Sequence, residues 1–391
     1  MKYSISKKLA FQFIILMGIV SLLGDIVYEG ARSITGPYLQ VLGASAAIVG
    51  TVAGLGDFMG YGIRILSGYI SDRTAAYWPM TIIGYGLLGI IPLLGIVNFW
   101  QIAAIFIIIE RIGKGIRAPA RDAILSHVTK KVGRGTGFGI HEALDQIGAI
   151  IGPIIFSTAF FFGYEYKRGF YILWIPAILC IVVLFIAKAK VPRPEKLELI
   201  KESNQNKNFS KLFWIYSLFI FFSVSGFSSF QLIAYHIKYK NIMSEIDIPI
   251  LYAIAMGIDA LMALFIGKIY DRKGLNSLII VPLLTLFIPF FAFSISPHLL
   301  LLGMVLWGAV MGIHETVIRA AIADITHQKK RGIAYGIFNT IYGFSWFLGS
   351  TTMGLLYDIS INYIILFTIL MEIASISLFF IAKKELKILN N

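Results

Sequence analysis

The sequence predicts an all-α membrane protein: twelve transmembrane helices in two parallel six-helix repeats, with both termini cytoplasmic. Three observations predict it. Of 391 residues, 58% are hydrophobic and only 14% charged, against about 45–50% and about 25% in soluble domains. The apolar residues fall in runs near the roughly 20 residues that a bilayer crossing needs. Short motifs also recur at nearly half the chain length.

Charge clusters and turn residues set the segments in order. The basic start MKYSISKK leads into segment 1, about 9–40; with no small-residue cleavage site, it reads as an uncleaved first helix. Segment 2 covers about 46–69 and stops before Asp72-Arg73. Segments 3 (79–97) and 4 (100–126) share a stretch, 80–109, without Asp, Glu, Lys or Arg. One helix of that length would overshoot the bilayer, so a break is expected at Asn98–Gln101. Segment 5 covers 134–161 and segment 6 covers 169–187. The polar stretch 188–210, with Pro192, Pro194 and a mixed run from Glu195 to Asn208, is the expected linker between domains 1–187 and 211–391. Segments 7 (212–236) and 8 (249–267) follow. The uncharged run 275–313 must break at Ser294–Pro297 between segments 9 (277–294) and 10 (299–325). Segments 11 (332–357) and 12 (361–382) complete the chain.

Lysine and arginine in the loops set the orientation. An inside N-terminus puts 23 of the 34 on the cytoplasmic side, four outside (Lys167, Arg168, Lys238, Lys240) and seven in helices. The net charge of +13 is thus spread through loops rather than gathered on one basic face, which argues against nucleic acid as a partner. The single cysteine, Cys180, excludes an internal disulfide and zinc or iron–sulfur spacings.

Two motifs recur. Gly68-x-x-x-Asp72-Arg73 matches Gly267-x-x-x-Asp271-Arg272, and Arg134-Gly135-x-x-Phe138-Gly139-Ile140 matches Arg331-Gly332-x-x-Tyr335-Gly336-Ile337. Six segments separate the copies, so both halves run the same way through the membrane. Parallel six-helix repeats are a recurring plan of secondary transporters, with the substrate site between halves.

These residues resemble the major facilitator superfamily (MFS) over essentially the whole chain. Gly68 to Arg73 resembles its loop 2–3 signature, and Gly267 to Gly274 the second-half copy. Arg111-x-x-x-Gly115 is similar to the motif whose arginine is implicated in proton coupling. Gly139-x8-Gly148-x3-Gly152-Pro153 resembles the antiporter motif of drug–proton exporters. The run Glu110 to Asp122 looks like a prokaryotic branch of the superfamily. Two departures stand out: Ala75, Ala76 and Tyr77 replace a glycine and basic residues, and Phe156 and Ser157 replace two glycines. The resemblance implies the MFS fold and gating roles for Gly68, Asp72, Arg73, Arg121, Asp122, Gly267, Asp271 and Arg272. Arg121 and Asp122 would meet Asp72 in a cytoplasmic latch.

An ionisable residue at a helix centre costs about 2.5–3.5 kcal/mol on insertion scales and marks a pathway or relay by default. Asp25, Glu29 and Arg32 share one face of segment 1. Pairing of Glu29 with Arg32 would leave Asp25 the freer carboxylate, suited to carrying a proton; the plainer reading is a salt bridge ordering the helix. In segment 4, Glu110 and Lys114 are expected to pair, leaving Arg111 for a carboxylate on another helix, with Asp25 a candidate and a static ion pair the alternative. His141 and Asp145, at i,i+4, offer a proton relay. The expected proton-coupling set is therefore Asp25, Glu29, Glu110, Arg111, His141 and Asp145. Gly139, Gly148, Gly152 and Pro153 suit close packing and a bend of segment 5 where it meets the other half.

The second half carries fewer buried charges: Asp259, His314, a Glu315–Arg319 pair and Glu372. It offers aromatic and polar surface instead, in Phe227, Phe230, Gln231, Tyr235, Asn339, Tyr342 and Trp346. Such walls suit amphiphilic or cationic organic molecules. The expected substrate-binding set is Arg32, Phe230, Gln231, Glu315, Arg319, Asn339, Tyr342 and Trp346.

The leading expectation is a proton-coupled antiporter exporting a small organic molecule. The alternative is an uptake symporter or uniporter for a metabolite, with Arg32, Arg111 and Arg319 holding an organic anion. A receptor or scaffold would gain nothing from so much buried charge. No phosphate-binding loop or metal-ligand spacing occurs, which argues against an enzyme or an ATP-driven pump. The expected partners are a small-molecule substrate, protons and membrane lipids, with no cofactor and no metal, in a monomer spanning the cell membrane.

Overall fold

In the computed structural model, the structure describes residues 6–129, 132–194, 209–326 and 331–390, which are helical with no strand among them. The first half holds α1 (Lys7–Val41), α2 (Ala46–Thr74), α3 (Tyr77–Gly86), α4 (Trp100–Thr129), α5 (Arg134–Phe161), α6 (Tyr166–Ile172) and α7 (Trp174–Lys190). The second holds α8 (Lys211–Ser225), α9 (Phe230–Tyr239), α10 (Asp247–Lys273), α11 (Ile280–Thr285), α12 (Ile288–Ala292), α13 (Pro297–Ile325), α14 (Arg331–Ile359) and α15 (Ile361–Asn390). Among the described residues, nine helical stretches are long and apolar enough to cross a bilayer, one of them the 46-residue run Asp247–Ala292.

The bounds of α5 fall where the sequence puts segment 5, and most other helices run a few residues longer than expected. Four segments differ more. Segment 3 is α-helical only to Gly86 and then passes into tighter turns, Leu87–Ile90 and Pro92–Ile96, because Pro92 has no N–H for the α ladder. Segment 6 divides into α6 and α7 around Leu173. Segment 9 follows Gly274, at φ 54, as a 3-10 turn and the short α11 and α12. Segment 7 breaks between α8 and α9. The exposed carbonyls at that break are answered inside the protein: the Trp307 indole donates to Ser228 O at 2.9 Å and the Thr368 hydroxyl to Gly226 O at 3.0 Å. A membrane-embedded break requires such partners. Most of the expected linker, 195–208, lies outside the described residues.

The chain forms two compact units. One comprises Met1–Ile34 and Gly62–Glu202, the other Thr35–Tyr61 and Ser203–Asn391. The last turns of α1 and the first half of α2 thus belong with the second-half helices. Glycines explain this. A methyl on Gly54 would lie 2.7 Å from Trp346 O, Gly50 touches the Ser350 carbonyl, and Gly36 touches that of Gln231. Asp358 at the end of α14 also accepts the Ala47 N–H of α2's first turn at 3.1 Å, answering an orphan donor.

In the first unit, α5 lies backbone to backbone on α1. A methyl on Gly152 would stand 2.6 Å from Ile26 O and 2.7 Å from Gly30 N, and Gly148 abuts the Leu22 carbonyl. Gly139 faces open space, so only part of the segment 5 glycine set packs, and its partner is α1. We expect Gly152→Ala to lower stability by about 1–3 kcal/mol, the usual overpacking cost. Gly139→Ala should be neutral or stabilising by up to about 1 kcal/mol through helix propensity. Thermal unfolding in detergent would separate the two.

Candidate functional site

A ladder of charge joins α1 to α4 within the first unit. Ser21, Asp25, Glu29 and Arg32 recur three or four residues apart on α1 and form one stripe, with Tyr28 beside Glu29 at its edge. On α4 the matching stripe is Glu110, Lys114, Arg117 and Arg121, with Arg111 beside it. The helices run antiparallel here, so each step up α1 meets a step down α4. Arg121 Nη1 donates to Ser21 Oγ at 2.8 Å. Arg117 and Lys114 both act electrostatically on Asp25. Lys114 Nζ lies 3.9 Å from Glu29 Oε1 and 3.7 Å from the centre of the Tyr28 ring. Arg111 lies over the same ring at 4.1 Å, a cation–π contact.

The pairing differs from the sequence expectation at two points. Glu110 pairs with Arg117 at 3.4 Å rather than with Lys114, which turns to Glu29. Positions 110 and 117 share the buried stripe, and Arg117 is held there by donating to Gly84 O at 3.2 Å. Arg111 sits on Tyr28, and Asp25 has no ion-pair partner within salt-bridge distance among the described residues. Glu29 does pair with Arg32, at 3.9 Å. Asp25 is buried and lies in the field of two other acids, Asp145 of α5 first and then Glu29. Tyr28, Ser21 and Tyr85 complete the cluster. The first two were legible at the edge of the α1 stripe and on it; nothing in the sequence places Tyr85, whose hydroxyl lies 3.4 Å from Ser21 Oγ.

His141 and Asp145 act on each other electrostatically, but neither His141 ring nitrogen makes a hydrogen bond among the described residues. The expected relay is therefore not a formed hydrogen-bond chain. Arg121 binds Asp122 at 3.0 Å and Ser21, while the charge felt by Asp72 is that of His127. Arg73 donates to the Tyr69 hydroxyl at 2.7 Å. Asp271 and Arg272 are exposed, and a methyl on Gly68 or Gly267 would meet only ordinary contacts.

The second unit gathers several of the expected substrate residues around Tyr342. Its ring meets Tyr61 edge-on at 4.9 Å and His314 at 6.1 Å. Trp346 lies one turn further along α14, and Tyr342 feels the charges of Glu315 and Asp57. Trp346 packs on Phe227 at 5.4 Å, Phe227 on Trp307 at 5.5 Å and Phe230 on Tyr252 at 4.4 Å. Phe230, Gln231, Tyr342 and Trp346 are all buried, which makes this a packed aromatic core. The Gln231 amide oxygen has no hydrogen-bond partner among the described residues. Tyr235 stands apart, stacked on Tyr239, and Asn339 is half-buried on α14. The Arg319 side chain lies outside what the structure describes. No cluster of His, Cys, Asp and Glu suited to a metal occurs among the described residues.

Removing one partner of a buried ion pair leaves an uncompensated charge and costs about 3–5 kcal/mol. Arg117→Met should therefore destabilise strongly, and Glu110→Leu added to it should restore much of the loss. Unfolding temperatures of the two variants would check this.

The sequence profile of the Major Facilitator Superfamily matches residues 14–350 and, separately, 217–387. Uncharacterized proteins of Mycobacterium tuberculosis and Mycobacterium bovis are 38% identical over 379 residues, 95% of this chain and 93% of theirs. An uncharacterized MFS-type transporter of Methanocaldococcus jannaschii is 30% identical over 94% of each chain. Among solved structures, a bacterial homolog of the human lysosomal transporter Spinster superposes with a TM-score of 0.76 at 14% identity, over 98% of both chains. With its all-helical, span-rich architecture and its buried charge, the chain belongs to the major facilitator superfamily and is a membrane transporter rather than an enzyme.

Proposed function

We propose that this transporter is a proton-coupled antiporter that exports a small organic molecule by alternating access. The observation that carries this reading is Asp25: a buried acid facing Asp145 and Glu29 while Glu29 and Glu110 hold basic partners. Like charges held together are relieved by a shared proton. Loading one on Asp25 removes a negative charge and lets Lys114 and Arg117 turn fully to Glu29 and Glu110; losing it draws them back. The ladder thus has two arrangements, and a cationic or amphiphilic substrate competes for the same acids. One proton moving down 100 mV contributes about 2.3 kcal/mol, enough for roughly a 50-fold concentration ratio.

The topology in this reading has twelve spans. Asp247–Ala292 is long enough for two, and α4 and α14 join the apolar stretches as spans whose charges and polar groups are buried in protein. Both termini are then cytoplasmic, by the loop-charge bias, and the protein acts as a monomer in the cell membrane. The domains are the two repeats joined by 188–210. The gating role of the two Gly-x-x-x-Asp-Arg loops belongs to the same proposal.

A second reading, uptake of an organic anion, draws on Arg111 and Lys114 converging on Tyr28. One experiment addresses both. In liposomes holding a pH dye, an imposed proton gradient should drive accumulation of one compound from a panel of lipophilic cations, sugars and carboxylates. With Asp25→Asn, the roughly 50-fold accumulation should fall to about one while gradient-independent exchange persists. Flux that ignores the gradient and survives the substitution would sink the antiport reading. Movement of carboxylates with protons, in the same direction, would establish the anion reading instead.

A further inference from the structure

Glu372 belongs to the second unit, in the middle of α15, and it is fully buried. The helix presents a polar stripe to α8: Thr368, Glu372 and Ser375, spaced four and three residues apart. Thr368 donates to Gly226 O at 3.0 Å and Ser375 to Phe219 O at 3.2 Å. Both are hydroxyls spending their proton on a backbone carbonyl. Glu372, between them, has no such partner: neither oxygen makes a hydrogen bond of good geometry among the described residues, and the one polar group acting on it is the adjacent Ser223 hydroxyl, which has no other partner. The carboxyl instead presses on Gly226, where a methyl would stand 2.5 Å from Oε1. Gly226 opens the break between α8 and α9.

Among the described residues, no charge acts on this acid. Of the elements packed on α15, α8 brings Ser223 and Gly226 to it. α11 and α12 contain no ionisable side chain, and the 3-10 turn Gly274–Ile279 contains none. Tyr335, Tyr342, Tyr357 and Asp358 of α14 exert no charge effect on it, nor do Lys383, Lys384 and Glu385 further along α15 or Lys211 of α8, which pairs with Glu385. An isolated buried carboxylate without a counter-charge takes up a proton rather than stay ionised. Breaks in membrane helices, in turn, are where coupling ions bind in secondary transporters.

We propose that Glu372, with Ser223 at the α8–α9 break, is a second proton-binding site of the transporter, one that exchanges its proton when the α8–α15 seam opens. It extends the proton-coupling reading above, but its existence can be read without any transport measurement. Gly226 supplies the room: a glycine lets the carboxyl approach the break, and any larger residue would displace it. The neutral acid fits the seam, whereas the anion would be driven toward water and would part α15 from α8.

Carbodiimide labelling tests this, because the reagent attacks protonated carboxyls in apolar surroundings. Intact protein in detergent should acquire an adduct on the peptide containing Glu372, and Glu372→Gln, which keeps the shape of the neutral acid, should lose it while keeping the wild-type unfolding temperature. In infrared spectra of the wild type, the carbonyl band of a protonated acid should shift in deuterated water and vanish in Glu372→Gln. If the variant fails to fold, the wild-type adduct and band still decide. Absence of the adduct, or protection of Glu372 by sodium, would overturn the proposal, the second by making the site one for a metal cation. A band that never shifts would mean a locked structural proton and would overturn it equally. An adduct in a protein whose flux ignores proton gradients would leave the site standing and sink the antiport reading alone.

Discussion

A bilayer interior offers no water, so a buried polar group here must be answered by the protein itself or be held neutral. That constraint organises the structure more than any single hydrophobic contact, because apolar side chains gain little by leaving lipid tails for one another. Where helices stay regular, the backbone satisfies itself. Where the α8–α9 helix breaks, Trp307 and Thr368 reach in to the freed carbonyls. Between α1, α4 and α5 of the first unit, charge comes as a set: Arg32, Arg111, Lys114, Arg117 and Arg121 with Asp25, Glu29, Glu110, Asp122 and Asp145. The pairing within it is uneven, and Asp25 is the acid with no basic group at salt-bridge distance among the described residues.

Glycine sets where that charge can be held. Backbone contact of Gly30 with Gly152, and of Gly148 with Leu22, brings α5 against α1 and so places Asp145 in the field of Asp25. Gly84 does the same for α3 on α4, letting Arg117 reach the Gly84 carbonyl while it holds Glu110. The second unit repeats the device at Gly50 and Gly54, where α2 meets α14. Small residues and charged residues are therefore two halves of one arrangement: the former close the distance, and the latter use it.

The sequence shows the class of fold, the α5 bounds, the acidic stripe of α1 and the Glu29–Arg32 pair, because each follows from local spacing or from the cost of charge in lipid. It does not show which base takes which acid. Spacing favours Glu110 with Lys114, at i,i+4, over Arg117 two turns on, and the Gly84 carbonyl from another helix, which holds Arg117 in place, overrides it. The same limit hides Tyr85 and the cation–π contact of Arg111 on Tyr28. The tighter turns of segment 3 and the broken segments 7 and 9 were also beyond hydropathy, which measures apolar length but not ladder continuity. The packing of α2's first half with second-half helices rests on backbone contacts that periodicity cannot encode.

Cys180 lies in α7 with its thiol donating to the Val20 carbonyl of α1 at 3.3 Å, and it is fully buried. It is also the only cysteine in the chain. Toward a polar maleimide the natural protein is thus nearly silent, with no background to remove by mutagenesis. A cysteine introduced at an exposed position such as Ser244, or Thr74 on the opposite side in the proposed topology, would report alone, so each face of the membrane can be surveyed, one reactive sulfur at a time, in an otherwise unaltered transporter.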